Sequence, residues 1–190
     1  MDVPDSIIEA CQKGDQAAFE ELIRLTHASV YSLSLRIVGN PEDAAEVTQD
    51  VFIKLLRVIK QFRGDAKFST WLYRVTSNVA ITLLRKRNRR NIEVRMEPED
   101  WSLLPASDSS DPAVTAEQRA LRVRLEAAIA SLPADYRTVV VLKDVYGLGF
   151  DEISKQLSIQ EGTARVRLFR ARQKLRKLLH DDLAAGEGNG

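Results

Sequence analysis

The chain has 190 residues, 28 Lys and Arg against 27 Asp and Glu, a formal net charge of +1 and one cysteine. That length allows one large domain or two small ones, Cys11 alone excludes an internal disulfide framework and fits a reducing compartment, and the charge balance means that any basic segment is offset by an acidic one. The acidic start Met1-Asp2-Val3-Pro4-Asp5 lacks the basic and apolar regions of a signal peptide, and no apolar run approaches a membrane span, so a cytoplasmic protein without membrane insertion is expected.

Residues from about Pro4 to Asn91 read as almost all helix. Ile7, Ala10 and Cys11 begin an amphipathic pattern, and Phe19, Leu22, Ile23 and Leu25 follow after Gly14-Asp15. Val30, Leu33, Leu35 and Ile37 read as another apolar helix. Gly39-Asn40-Pro41 stops it and starts the next, with Asn40 as N-cap and Pro41 at the first helical position. That helix is predicted to run to about Phe62, burying Val47, Val51, Leu55 and Val58. Gly64-Asp65 breaks the chain, and Ser69 or Thr70 opens a last helix to about Arg90 with Leu72, Val75, Val79 and Leu83 inward. Its end carries Arg85, Lys86, Arg87, Arg89 and Arg90, and a run of one sign suits a polyanion.

From Met96 to Thr115 the composition changes. Glu97, Glu99, Asp100, Asp108 and Asp111 are mixed with Pro98, Pro105, Pro112 and serines, the make-up of a flexible acidic linker. Trp101, Leu103 and Leu104 add apolar area that fits a docked segment as well as a packed local turn.

Beyond the linker, Leu121, Leu125, Ala128, Ile129 and Leu132 form one apolar stripe ending at Pro133, and Tyr136 to Val145 the next helix, ending at Gly147-Leu148-Gly149. Phe150 to Arg172 then reads as a short helix, a tight turn and a basic helix, the arrangement that lays its second helix in a DNA major groove. Ala164, Leu168, Ala171, Leu175 and Leu178 share the inward face of the second helix, and Val166, Phe169, Arg170 and Gln173 face away. Gly162 to Leu179 holds no Asp or Glu.

Three segments in order carry a family resemblance: Asp43-Ala44-Ala45-Glu46-Val47-Thr48-Gln49-Asp50-Val51-Phe52, then Phe62 through Arg74, then Leu132-Pro133 through Arg172. With them the chain resembles the extracytoplasmic-function (ECF) sigma factors of bacterial RNA polymerase. The resemblance implies an all-α fold of two small helical domains: residues 1–94 (sigma domain 2), a flexible linker at 95–116, residues 117–183 (sigma domain 4, with the helix-turn-helix) and a disordered tail at 184–190. It implies as partners core RNA polymerase, through its clamp coiled coil and flap, promoter DNA, and an anti-sigma factor.

The first domain is then expected to dock on polymerase through Glu46, Gln49, Asp50 and Ile53, which mix carboxylates with exposed apolar area. It is expected to read and melt the minus-ten element. Arg63, Lys67, Arg74, Arg85 and Arg87 would hold phosphates, Phe68, Trp71 and Tyr73 would supply apolar or stacking area with some of the three in the core, and Ser77 and Asn78 would bond base edges. The second domain is expected to read the minus-thirty-five element. Thr163 would meet a phosphate at the helix start, Arg165, Val166, Phe169 and Arg170 would face the bases, and Gln173 would bind DNA from the same outward face. Arg167, Lys174, Arg172 and Arg176 would hold the backbone. The family often has an apolar residue in place of Thr48, Glu in place of Asp50, Val in place of Ala164 and a small polar residue in place of Val166.

The rival reading is a helix-turn-helix regulator that binds duplex DNA independently of polymerase. It accounts for Phe150 to Arg172 but not for the aromatic and basic segment from Phe62 to Arg90. An enzyme has no support: His27 and His180 stand far apart, and there is no catalytic constellation, metal-ligand cluster, cofactor loop or nucleophile elbow.

Overall fold

The structure, a computed structural model, describes residues 3–91 and 115–187. It divides into two compact units, Met1–Met96 and Glu97–Gly190, and no strand occurs among the described residues. The expected linker, with Trp101, Leu103 and Leu104, lies almost wholly outside the described residues.

In the first unit, α1 (Asp5–Lys13), α2 (Gln16–Val38), α3 (Pro41–Val58) and α4 (Phe68–Asn91) pack around one core. Turn chemistry sets the boundaries. Gly14 takes φ 90° to end α1, and the Asp15 side chain accepts from the Ala18 N–H to start α2. Gly39 takes φ 78°, and the Asn40 side chain accepts from the N–H groups of Glu42 and Asp43, at 2.8 and 3.1 Å. The two apolar stretches expected as separate helices are one 23-residue helix, α2. Nothing in Thr26-His27-Ala28-Ser29 breaks a helix, and the buried hydroxyls of Thr26 and Ser34 donate to the carbonyls of Leu22 and Val30. Leu22, Leu33, Ile37, Val51, Leu55 and Leu72 are fully buried between the helices.

The second unit contains α5 (Ala116–Ala130), α6 (Ala134–Val140), a π-helical turn (Val141–Val145), α7 (Phe150–Leu157) and α8 (Glu161–Glu187). Val139 to Leu142, Ile153, Ala164, Leu168 and Ala171 form its core. Arg137 is buried with them. Its guanidinium donates to the carbonyls of Ala130 (2.9 Å) and Leu132 (3.4 Å), which the end of α5 and the missing N–H of Pro133 leave short of partners. Burial pulls the Arg137 pKa down to about 10.

Two expectations need correction here. Leu121 and Leu125 are 57% and 40% exposed, because only the last turn of α5, Ala128 to Ala130, is covered by neighbours. The tail expected as disordered from Ala184 continues as helix to Glu187.

Candidate nucleic-acid and protein interfaces

In the second unit, α7 ends at Ser158, which takes φ 52°, an uncommon left-handed conformation for a residue with a side chain. The chain reverses there and re-enters helix at Glu161, one residue before the expected start at Gly162. Ala164, Leu168 and Ala171 pin α8 inward. Thr163, Arg165, Val166, Phe169, Arg170, Gln173 and Lys174 are therefore exposed together, with Phe169 at 63% and Val166 at 50%. Such apolar area on a basic helix matches a surface that meets sugars and thymine methyls as well as phosphates.

The arginines of this helix are not equivalent. Arg167 is half-buried and pairs with Asp135 of α6 at 2.8 Å. Arg172 grips Asp144 of the π-helical turn with two bonds, at 2.9 and 2.5 Å, and that bond and charge raise its pKa. Both were expected to hold DNA backbone, and each meets a carboxylate of the same domain. Arg165 lies 4.3 Å from the centre of the Phe150 ring and 3.5 Å from Glu161, so its fork is pre-oriented. Arg170 and Arg176 are exposed and have no carboxylate partner among the described residues.

In the first unit, Glu46, Gln49, Asp50 and Ile53 all lie exposed on α3. Gln49 and Ile53 border a groove of about 470 Å³ between α2 and α3, with Phe19, Ile23, Tyr31 and Phe52 among its other lining residues. His27 stacks nearly parallel on both Tyr31 and Phe52, with centroids at 6.5 and 6.1 Å. Leu56, one turn beyond, is 57% exposed. Thr48 stays inside this wall because its hydroxyl donates to the Ala44 carbonyl at 2.7 Å, so the polar residue costs the core little.

The loop before α4 is held at its root. Gln12 of α1 donates to the carbonyls of Ile59 and Phe62, at 3.1 and 2.8 Å. The Phe62, Phe68 and Trp71 rings form a cluster with centroids 5.3 to 5.7 Å apart. Arg63 and Lys67 are exposed on the loop, Asn78 and Arg85 on the helix, and Trp71 and Arg74 are half-buried.

Two of the side chains expected to face DNA in this unit are buried, and a third is in an ion pair. Phe68 is 6% exposed and supports Trp71 rather than offering a stacking face. Ser77 is 1% exposed and donates to the Arg74 carbonyl, because it falls on the core side of α4 with Val75, Thr76 and Ala80. Arg87, expected to hold phosphate, pairs with Asp43 of α3.

Comparison with known proteins matches residues 22–90 to Sigma-70 region 2 and residues 122–175 to Sigma-70, region 4. The RNA polymerase sigma-H factor of Pseudomonas aeruginosa is 34% identical over 177 residues, 91% of this chain and 92% of that protein. The ECF RNA polymerase sigma-E factor of Escherichia coli K12 is 35% identical over 176 residues, 89% and 90% of the two chains. The chain belongs to the ECF sigma factors.

SigE of Mycolicibacterium smegmatis is 39% identical over 171 residues, 87% of this chain, and this sigma factor spans 64% of that relative's length. Its fold is shared with the sigma factor RpoE of Bartonella quintana, solved with the anti-sigma factor NepR. The TM-score is 0.59 at 21% identity, over 85% of this chain and 96% of that one. Sigma factors are transcription-initiation factors rather than enzymes. No helix among the described residues is long and apolar enough to cross a membrane.

Sequence reasoning missed Asp135, Asp144 and Phe150 as organisers of the basic helix of this sigma factor, and His27 and Leu56 beside the exposed α3 face. The pairs Asp135–Arg167, Asp144–Arg172, Phe150–Arg165 and His27–Phe52 join residues distant along the chain, so no local pattern signals them.

Proposed function

We propose that this ECF sigma factor docks on core RNA polymerase through the α2–α3 groove and the exposed α3 face, and selects promoters with its two units. The observation that carries the reading is the division of labour between them. A helix-turn-helix presents Val166, Phe169, Arg170 and Gln173 for duplex readout, at the minus-thirty-five element. A rooted aromatic loop beside Trp71, Asn78 and Arg85 suits unpaired bases and their phosphates, at the minus-ten element. A regulator that only reads duplex has no use for the second surface. An anti-sigma factor would silence the protein by covering the apolar groove and the α8 face.

The test is run-off transcription with purified core polymerase on a pool of candidate promoters, with and without the protein. Protein-dependent transcripts starting at a fixed distance from a shared pair of upstream motifs are expected. No stimulation, together with tight binding of the isolated protein to a duplex palindrome, would establish the regulator instead.

A further inference from the structure

We propose that Asp43 and Arg87 form a positioning strut that holds the basic end of α4 against α3, and that Arg87 acts on promoter opening through Asp43 rather than by touching DNA. This rests on the sigma-factor reading and adds a role for Asp43 within it.

The argument starts from burial. Asp43 is 2% exposed, at the third position of α3, between the Asn40 cap and the docking residues Glu46, Gln49 and Asp50. A carboxylate removed from water is costly to keep ionised unless a cation is brought to it. Arg87 supplies that cation from the far end of α4, while its own side chain remains 48% exposed. Arg87 is in ion-pair contact with Asp43, so a phosphate that claimed the guanidinium would draw a cation away from a buried carboxylate.

Position along α4 explains why such a strut is needed. Among the described side chains of the helix, Ile81 is the last buried one; Leu83 and Leu84 are half-buried, and Arg85 and Lys86 are exposed. Past Ile81 the helix has lost most of its apolar grip on the unit. Arg87 restores a tie beyond that point and so fixes where Arg85 and Lys86 stand. The other end of the tie lies at the start of α3, whose exposed face carries the docking residues. One ion pair thus joins the helix that meets polymerase to the helix end that meets melted DNA.

The experiment uses holoenzyme assembled from core polymerase with wild type, Asp43→Asn, Arg87→Gln, the double variant and Arg87→Lys. Promoter affinity is measured against potassium chloride concentration, and opening by permanganate reactivity of unpaired thymines. The strut predicts that each single variant lowers open-complex yield by about tenfold and that the double variant is no worse than either. Arg87→Lys, which keeps a cation for Asp43, restores most of the yield, and the salt slope is unchanged throughout. The proposal is overturned if Arg87→Gln flattens the slope by about 0.9 while Asp43→Asn opens DNA normally, the pattern of a direct phosphate contact. It is equally overturned if the two single losses multiply in the double variant. Binding of each variant to core polymerase reports folding of the unit, and Arg87→Lys keeps the test decisive where Asp43→Asn folds poorly. A wild-type protein that opens no promoter overturns the parent reading and this one with it. Wild-type opening with additive variants overturns the strut alone.

Discussion

Arg172 and Arg176 look alike in the sequence, and the structure predicts opposite behaviour for them on DNA. Each cation that neutralises a phosphate adds about 0.9 to the slope of log affinity against log salt. Over a fourfold rise in salt, from 50 to 200 mM, one such contact is worth about 3.5-fold in affinity. Arg176 is exposed with no carboxylate partner among the described residues, so Arg176→Ala should flatten the slope by about 0.9 on specific and random DNA alike. Arg172 spends two donors on Asp144, at 2.9 and 2.5 Å. Arg172→Ala should therefore leave the slope unchanged and act on stability. An exposed pair of this kind contributes about 1 kcal/mol or less, which lowers Tm by roughly 8 °C at most for a domain of this size. The reciprocal variant sharpens the test. Asp144→Asn releases the Arg172 guanidinium, and the slope should steepen by up to about 0.9 as a new phosphate contact becomes available. The assay is holoenzyme binding to a promoter fragment at five or more salt concentrations, with melting of the free protein alongside. Equal flattening by Arg172→Ala and Arg176→Ala would refute the reasoning, since it would place Arg172 on phosphate despite its carboxylate.

Two further outcomes follow from buried groups. At Arg137, bringing the charge inside is opposed by burial, which pulls the pKa well below the usual guanidinium range to about 10, a cost of about 3 kcal/mol. Removing the side chain strands the carbonyls of Ala130 and Leu132. With charged hydrogen bonds at about 1.5–3 kcal/mol each, Arg137→Met should destabilise the second unit by about 1–3 kcal/mol in urea unfolding at pH 7, and equal or greater stability of the variant would show that desolvation wins. The sign with pH is fixed: a lowered pKa means that the folded state sheds its proton first, so the wild-type advantage should widen as pH rises through about 10. At Cys11, burial and then the nearby Asp15 charge raise the thiol pKa. Iodoacetamide at neutral pH should modify it only as fast as the first unit unfolds, and rapid labelling of the folded protein would contradict its placement in the core.

Local chemistry made much of this protein legible in the sequence. Gly14-Asp15 and Gly39-Asn40-Pro41 act as stops and caps because a left-handed glycine and an acceptor side chain satisfy helix ends within a few residues. The inward row Ala164, Leu168 and Ala171 follows from helical periodicity, and it dictates that Val166, Phe169 and Arg170 face out. The exposure of Glu46, Gln49, Asp50 and Ile53 on α3 was legible for the same reason. Tertiary structure alone decided which cations meet a carboxylate. Arg87, Arg167 and Arg172 sit in basic runs that read as DNA-facing, yet each meets a carboxylate brought from another element. Composition counts such charges without saying which are spoken for. Ser77 and Phe68 were misplaced because a small hydroxyl can be satisfied by its own helix, and an aromatic at a helix start can turn to either side. Exposure of Leu121 and Leu125 likewise depends on where neighbouring helices end. Periodicity names the face that could be buried, and only packing supplies the partner that buries it.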